Sequence, residues 1–356
     1  MLMDPRADHA FVVPADLPGP SGGLHYNRRV LDMWCEQGLT VAEEPVSGAW
    51  PHPDDRALRA LAGTLRRYRS VLVDGIIASA APEELARARS EGIEVTVLMH
   101  LPLPAETGVT PSQQRAVQAR ERRALRHAHQ VICTSQWARQ DLKARYGDLS
   151  VSVAVPGCDP AALSQGSTPP NLLFLGAVSP RKNPLLLLRA LEPLEHLDWT
   201  LTIAGPSGAD QQYVASVAAA AQRFAERVSM PGPLAGERLD QAWQAADLLL
   251  LPSLAETFGM VVTEALARGV PALVGSGTGA EEALAAGRVS GDSASAAALP
   301  GRAVEPAETA EWTAAVAQWL TDGDLRRRWR TTAEAARDRL RPWSETATTL
   351  RNLLRW

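Results

Sequence analysis

LLLLPSLAETFGMVVTEALARGVP, Leu248–Pro271, is the stretch from which the fold is read. Four consecutive leucines carry no polar alternation, as in a central parallel strand buried on both faces. Pro252 and Ser253 end the run, and a helix is predicted over Val261–Arg268. Gly259, near the start of that helix, permits close approach of a ligand to free backbone N–H groups. Glu256 stands just before the helix, and Glu264 follows eight residues later, about two turns along if the helix is continuous. A carboxylate suits a pair of sugar hydroxyls, although an acid in a first helical turn also favours the helix dipole.

The same alternation runs outward in both directions. The second half has predicted strands at Leu172–Ala177, Trp199–Ala204, Arg227–Met230, Asp247–Leu251 and Pro271–Val274. Helices are predicted at Leu185–Leu191, Gln212–Phe224, Leu239–Ala245, Ala310–Thr321 and Asp324–Arg339. The first half offers strands at His9–Val13, Ser70–Asp74, Glu94–Met99, Gln130–Cys133 and Val151–Val155. Its helices fall at Gly22–Gln37, Pro82–Ser90, Gln113–His127 and Trp137–Tyr146. Between the halves, PGCDPAALSQGSTPPN (Pro156–Asn171) has no apolar periodicity and reads as a linker. Strands alternating with helices make parallel sheets, so the expectation is α/β, with two doubly wound domains.

Composition agrees and narrows the function. At 356 residues, 46% apolar and 21% charged, the chain suits two globular domains. A net charge of −4 argues against a nucleic-acid partner. No stretch of about 20 uncharged apolar residues is present. The start, MLMDPRADHAFVVPAD, places Asp4 and Asp8 where a signal peptide needs an apolar core, so a cytoplasmic location is expected. Cys35, Cys133 and Cys158 lack metal-ligand or disulfide spacing and read as small buried hydrophobes.

Two further turns carry candidate chemistry. PGPSGGLHYN (Pro18–Asn27) follows the first strand, and Gly22 and Gly23 lead into a helix N-terminus. It is not the dinucleotide fingerprint G-x-G-x-x-G, so a nicotinamide cofactor is not supported. LFLGAVSPRKNPLLLLRAL (Leu173–Leu191) places Arg181 and Lys182 in a turn, where adjacent cations face a diphosphate or simply solvent. Only two lysines, Lys143 and Lys182, occur among the thirty-six basic residues, which singles out Lys182. The basic helix Arg115–Arg126 is either a solvated face or a weak contact for anionic lipid. The only Asp-x-Asp, Asp322-Gly323-Asp324, reads as a helix N-cap, and no metal site is expected.

Taken in order, these motifs resemble the retaining GT-B glycosyltransferases of family 4. Glu256 and Glu264 match the family's Glu-x7-Glu element, VPGCDP (Val155–Pro160) its inter-domain stretch and FLGAVSPRKNP its phosphate turn. LTIAGPSG (Leu201–Gly208) resembles another strand and turn, and RPWSETATTLRNLLRW the last helix, which crosses back onto the N-terminal domain. The resemblance implies two Rossmann-like domains facing a central cleft. They would comprise an acceptor domain at 1–156, a linker at 157–170, a nucleotide-sugar domain at 171–340 and a returning helix at 341–356.

By the same resemblance, Glu264 would bind ribose hydroxyls, Glu256 donor-sugar hydroxyls, and Lys182 the diphosphate. Backbone N–H groups of Phe258, Gly259 and Met260 would cradle sugar and phosphate, and His100, ending VTVLMH, would touch the donor sugar. The chain departs from the family at Ala177, where an arginine is usual; Arg181 stands across the turn as a replacement cation. PGPLAGERL (Pro231–Leu239) would meet the base. The implied partners are a UDP- or GDP-sugar as co-substrate, with no separate cofactor, and a small-molecule, lipid or glycan acceptor. The implied chemistry is metal-independent transfer with retention, the donor phosphate taking the acceptor's proton. A sugar-nucleotide epimerase, a phosphorylase-like enzyme and a silent sugar-nucleotide-binding protein share these features.

Overall fold

The computed structural model describes residues 7–17, 19–106, 110–288 and 298–356. Asp4, Pro18 and residues 107–109 of the loop after His100 lie outside the described residues. The chain divides into two compact units, Met1–Gly157 with Trp343–Trp356, and Cys158–Pro342.

In the first unit six strands form one parallel sheet: β1 (Ala7–Pro14), β2 (Ala42–Val46), β3 (Tyr68–Asp74), β4 (Glu94–Met99), β5 (Gln130–Cys133) and β6 (Val151–Val153). Their order is β2-β1-β3-β4-β5-β6. The direction of winding therefore reverses between β1 and β3. In such sheets ligands bind beyond the carboxyl ends of the strands at the reversal. Helices cover both faces, so Val71, Leu72 and Val73 on β3 and Val95, Val97 and Leu98 on β4 are buried.

The second unit repeats the design with β7 (Asn171–Leu175), β8 (Thr200–Ala204), β9 (Val228–Gly232), β10 (Ala246–Leu251), β11 (Ala272–Gly275) and β12 (Gly301–Val304). All neighbours are parallel, in the order β12-β11-β10-β7-β8-β9. Winding outward from β7, this is the strand order of dinucleotide-binding domains, and the reversal lies between β7 and β10. Leu248–Leu251 are fully buried, each stabilising the core by about 2 kcal/mol relative to exposure.

The stretch expected to be a linker is structured. Cys158 donates its backbone N–H to Arg341 O, and the Ser164 hydroxyl is bonded to Gln244 O and Ala246 O. Asp247 accepts from the backbone of Ser167 and Asn171. Backbone and hydroxyl hydrogen bonds fasten this segment to the second unit, so it needs no apolar periodicity. The cysteine reading also needs one correction: Cys133 and Cys158 are buried, but Cys35 is exposed. No helix among the described residues is long and apolar enough to cross a membrane.

Candidate functional site

The loops that leave β7 and β10 meet at the reversal point of the second sheet. Arg181 and Lys182 lie in the first loop and Glu256 in the second. Lys182 Nζ donates to Glu256 Oε1, and Arg181 Nη1 lies 3.8 Å from the same oxygen. Arg181 also donates to Ala255 O at 3.0 Å and accepts from the Leu254 N–H at 2.8 Å, stitching the two loops together. All three side chains are largely buried, with 13%, 16% and 8% exposure for Arg181, Lys182 and Glu256.

Burial alone pushes the Glu256 carboxyl upward, but the charges of Lys182 and Arg181 outweigh it and hold the carboxyl below the usual range. Two cations thus meet one largely buried carboxylate. Adjacent cations of this kind are suited to an anionic ligand.

Glycines set the shape of these loops. A Cβ on Gly279 would stand 2.2 Å from Thr257 O, and one on Gly275 would stand 2.4 Å from Ser253 O. The Gly279 N–H donates to Glu256 O at 2.7 Å, so the loop after β11 is the bed on which Glu256 rests. Across the sheet, a Cβ on Gly205 would overlap Gly176 O, and Val178 bridges Ser207.

Gly259 takes the left-handed conformation, φ 86°, and caps a helix of seven residues, Met260–Leu266. Glu256 therefore lies in an irregular loop, and the continuous two-turn helix considered between it and Glu264 is not formed. Phe258 is buried, whereas Glu264 and Met260 are half-buried. The Cys158 thiol, bonded to Thr263 O, is pushed up to about 12 by burial and the nearby Glu264. The Pro231–Leu239 segment runs from the end of edge strand β9 into the Glu237–Gln244 helix.

In the first unit, the reversal point holds His100 directly after β4, Asp74 at the end of β3, and Asn27 on the Gly22–Glu36 helix. His100 Nε2 lies 2.7 Å from Asn27 Oδ1, and Asn27 Nδ2 donates to Asp74 Oδ2 at 2.6 Å. Tyr26 meets the imidazole edge-to-face, with ring centroids 5.1 Å apart. Gly22 and Gly23 form the first turn of the helix that Ser21 caps. A Cβ on Gly23 would be 2.9 Å from His100 Cδ2, so this glycine makes room for the imidazole. Burial pushes the His100 imidazole below its ordinary value, opposed by the Asp74 charge. Asn27 and Asp74 are not singled out by the sequence; the visible signal is a carboxylate directly after the apolar run Val71–Val73.

Among the described residues, no group of three or more His, Cys, Asp or Glu is placed to hold a metal ion. Asp322 caps the Gly323–Ala336 helix through the Leu325 N–H at 2.9 Å, and Asp324 pairs with Arg327. On the basic helix, Arg115 and Arg122 donate to the carbonyls of Pro111 and Arg145, and Arg123 pairs with Glu83.

Comparison with known proteins places this geometry in context. The family model described as Glycosyl transferases group 1 matches residues 159–336. A D-inositol 3-phosphate glycosyltransferase of Nocardia farcinica is 32% identical over 229 residues, covering 58% of this chain and 48% of that protein. The chain spans about half the length of the curated relatives it matches. A sucrose-phosphate synthase from Thermosynechococcus elongatus superposes with a TM-score of 0.76 at 17% identity, over 98% of each chain. Anabaena HepE, solved in complex with UDP-glucose, gives 0.74 at 17% identity, over 98% of this chain and 99% of that one. These structural likenesses establish the fold, two Rossmann-like domains of GT-B type.

Proposed function

Because the chain belongs to the glycosyl transferases group 1, we propose that it moves a sugar from a nucleoside diphosphate to a hydroxyl acceptor with retention of anomeric configuration. The observation that carries this reading is the buried Lys182–Glu256–Arg181 cluster at the reversal point of the second sheet. Breaking the anomeric C–O bond builds negative charge on the departing diphosphate. Lys182 and Arg181 are assigned to that charge, which is larger in the transition state than in the ground state and so lowers the barrier. Arg181 thereby serves where Ala177 leaves no cation.

Glu256 is assigned to hydroxyls of the transferred sugar and Glu264 to the ribose. Backbone N–H groups of Phe258, Gly259 and Met260 are assigned to the sugar and phosphate, and the Pro231–Leu239 segment to the base. In the first unit, His100 and the helix turn at Gly22 and Gly23 are assigned to substrate. The acceptor hydroxyl attacks on the face from which the diphosphate leaves, and its proton passes to a donor phosphate oxygen. No protein base and no metal ion is required. The name of the Nocardia relative makes a polyol phosphate the acceptor class to try first.

A panel of UDP-, GDP- and ADP-sugars in thermal-shift and turnover assays tests the reading. A donor at 100 times its Kd raises stability by roughly 2.7 kcal/mol. If no nucleotide stabilises the protein and no sugar is transferred to any acceptor, the proposal fails.

A further inference from the structure

The hydrogen bonds around His100 leave little freedom in where its proton sits. Asp74 Oδ1 accepts the Ile76 N–H at 3.0 Å, and Oδ2 faces the Asn27 carboxamide at 2.6 Å. A carboxylate oxygen only accepts, so the Asn27 atom facing it is the NH2 group. The Asn27 oxygen then faces His100 Nε2 at 2.7 Å, and an amide oxygen also only accepts. Nε2 must therefore carry a hydrogen. Asn27 and Asp74 are both nearly inaccessible, at 3% and 4% exposure, so water does not readily replace either partner. Gly23 and Tyr26 close on the ring and oppose its rotation.

We propose that Asp74, acting through Asn27, is a positioning residue that locks His100 as its Nε2–H tautomer, so that Nδ1 meets a substrate hydroxyl as a hydrogen-bond acceptor. Asp74 touches no reacting atom. It sets the direction of a chain of donors, Asn27 to Asp74 and His100 to Asn27, in which each link determines the next. Burial keeps the ring neutral near neutral pH and so preserves the lone pair on Nδ1. The Asp74 charge opposes that effect without reversing it. The substrate role rests on the glycosyl-transfer reading above, whereas the lock does not.

The isosteric variant Asp74→Asn tests the chain of donors. The Ile76 N–H holds the carboxamide oxygen of the new side chain, so its NH2 group faces Asn27. Asn27 must then turn over and offer its own NH2 group to His100, making Nε2 the acceptor and moving the hydrogen to Nδ1. Nitrogen-15 NMR of the full-length protein, labelled in its seven histidines, reads the tautomer directly. His100→Gln identifies the signal.

The wild type is expected to show Nε2–H, Asp74→Asn to gain Nδ1–H, and Asn27→Ala to show a mixture. With Asp74→Asn, kcat should fall roughly tenfold while the affinity of the second unit for UDP or GDP is unchanged. A wild-type Nδ1–H tautomer, or a pattern unmoved by both variants, overturns the lock. A tautomer that shifts without a change in turnover overturns the substrate role. If the wild type transfers no sugar, the glycosyl-transfer reading fails, and the NMR pattern alone still decides the lock.

Discussion

Lys182 is a cation whose partner, Glu256, belongs to the same proposed site, so substitution there separates binding from chemistry. Glu264→Ala should weaken nucleotide binding, whereas Glu256→Gln should mainly slow turnover. Each change removes charge-assisted hydrogen bonds worth about 1.5–3 kcal/mol, or one to two decades. Steady-state kinetics with isothermal titration of the nucleotide distinguishes them, and wild-type behaviour in both counts against the assignment. Glu256→Gln also leaves Lys182 and Arg181 buried without their carboxylate, at a cost of roughly 3 kcal/mol. The depressed Glu256 carboxyl contributes stability above the ordinary carboxylate range that is lost as pH falls through its folded value. Melting temperatures of wild type and variant should therefore converge on acidification. Because diphosphate charge is assigned to Lys182 and Arg181, turnover should survive excess EDTA; loss that Mg²⁺ or Mn²⁺ restores would contradict it. Lys182 and Glu256, which the structure brings into contact, stood out in the sequence because strand, turn and helix surround them. Asn27 and Asp74 did not, since their role is a contact across 47 residues of chain.

At the scale of elements, the loops after β10 and β11 are a single device. The Gly279 N–H fixes the Glu256 carbonyl, and a side chain at 279 meets Thr257 O at 2.2 Å. Gly279→Ala should push the Glu256 loop away from Lys182 and reduce kcat/KM at least tenfold, while the sheet stays folded by circular dichroism. An unchanged kcat/KM would show that the loop does not hold Glu256 for catalysis. The elements themselves were largely visible, because buried parallel strands such as Leu248–Leu251 are unbroken apolar runs. Two strands escaped, β2 (AEEPV) and β12 (GRAV), and both are edges. An edge strand has one neighbour and tolerates Glu43, Glu44 and Arg302, so its sequence lacks the apolar run that marks the centre. Glu43 and Glu44 are instead paired with Arg28 and Arg67. The Pro156–Asn171 stretch forms no helix or strand before residue 171, and the hydrogen bonds that fasten it to the second unit leave no periodic trace in its sequence.

At the scale of the whole chain, the first unit is assembled from two segments far apart in sequence, Met1–Gly157 and Trp343–Trp356. The terminal helix, Trp343–Leu354, buries Trp343, Thr346, Ala347, Leu350 and Leu354. Its fit is specific. Trp34 Nε1 donates to Ala347 O at 3.0 Å, and the Thr346 hydroxyl donates to Val155 O at 2.8 Å. Gly157 lies so close that a Cβ there would be 2.5 Å from the Trp343 backbone. The large apolar side chains among these contribute about 1.5–3 kcal/mol each, together comparable to the roughly 5–15 kcal/mol that holds a domain folded. The same Gly22–Glu36 helix that carries Trp34 also carries Gly23 and Asn27, the neighbours of His100. A chain ending at Pro342 should therefore lose the first unit and its histidine site together. The second unit keeps its own core, including Leu187, Leu201, Leu250 and Trp312, within Cys158–Pro342. Limited proteolysis of the truncated protein should leave a resistant fragment spanning about residues 158–342. UDP or GDP should still raise its melting temperature, although sugar transfer is lost. A protected fragment from the first unit, or truncated protein that still transfers sugar, would show that the terminal helix is dispensable and that the two segments do not fold as one.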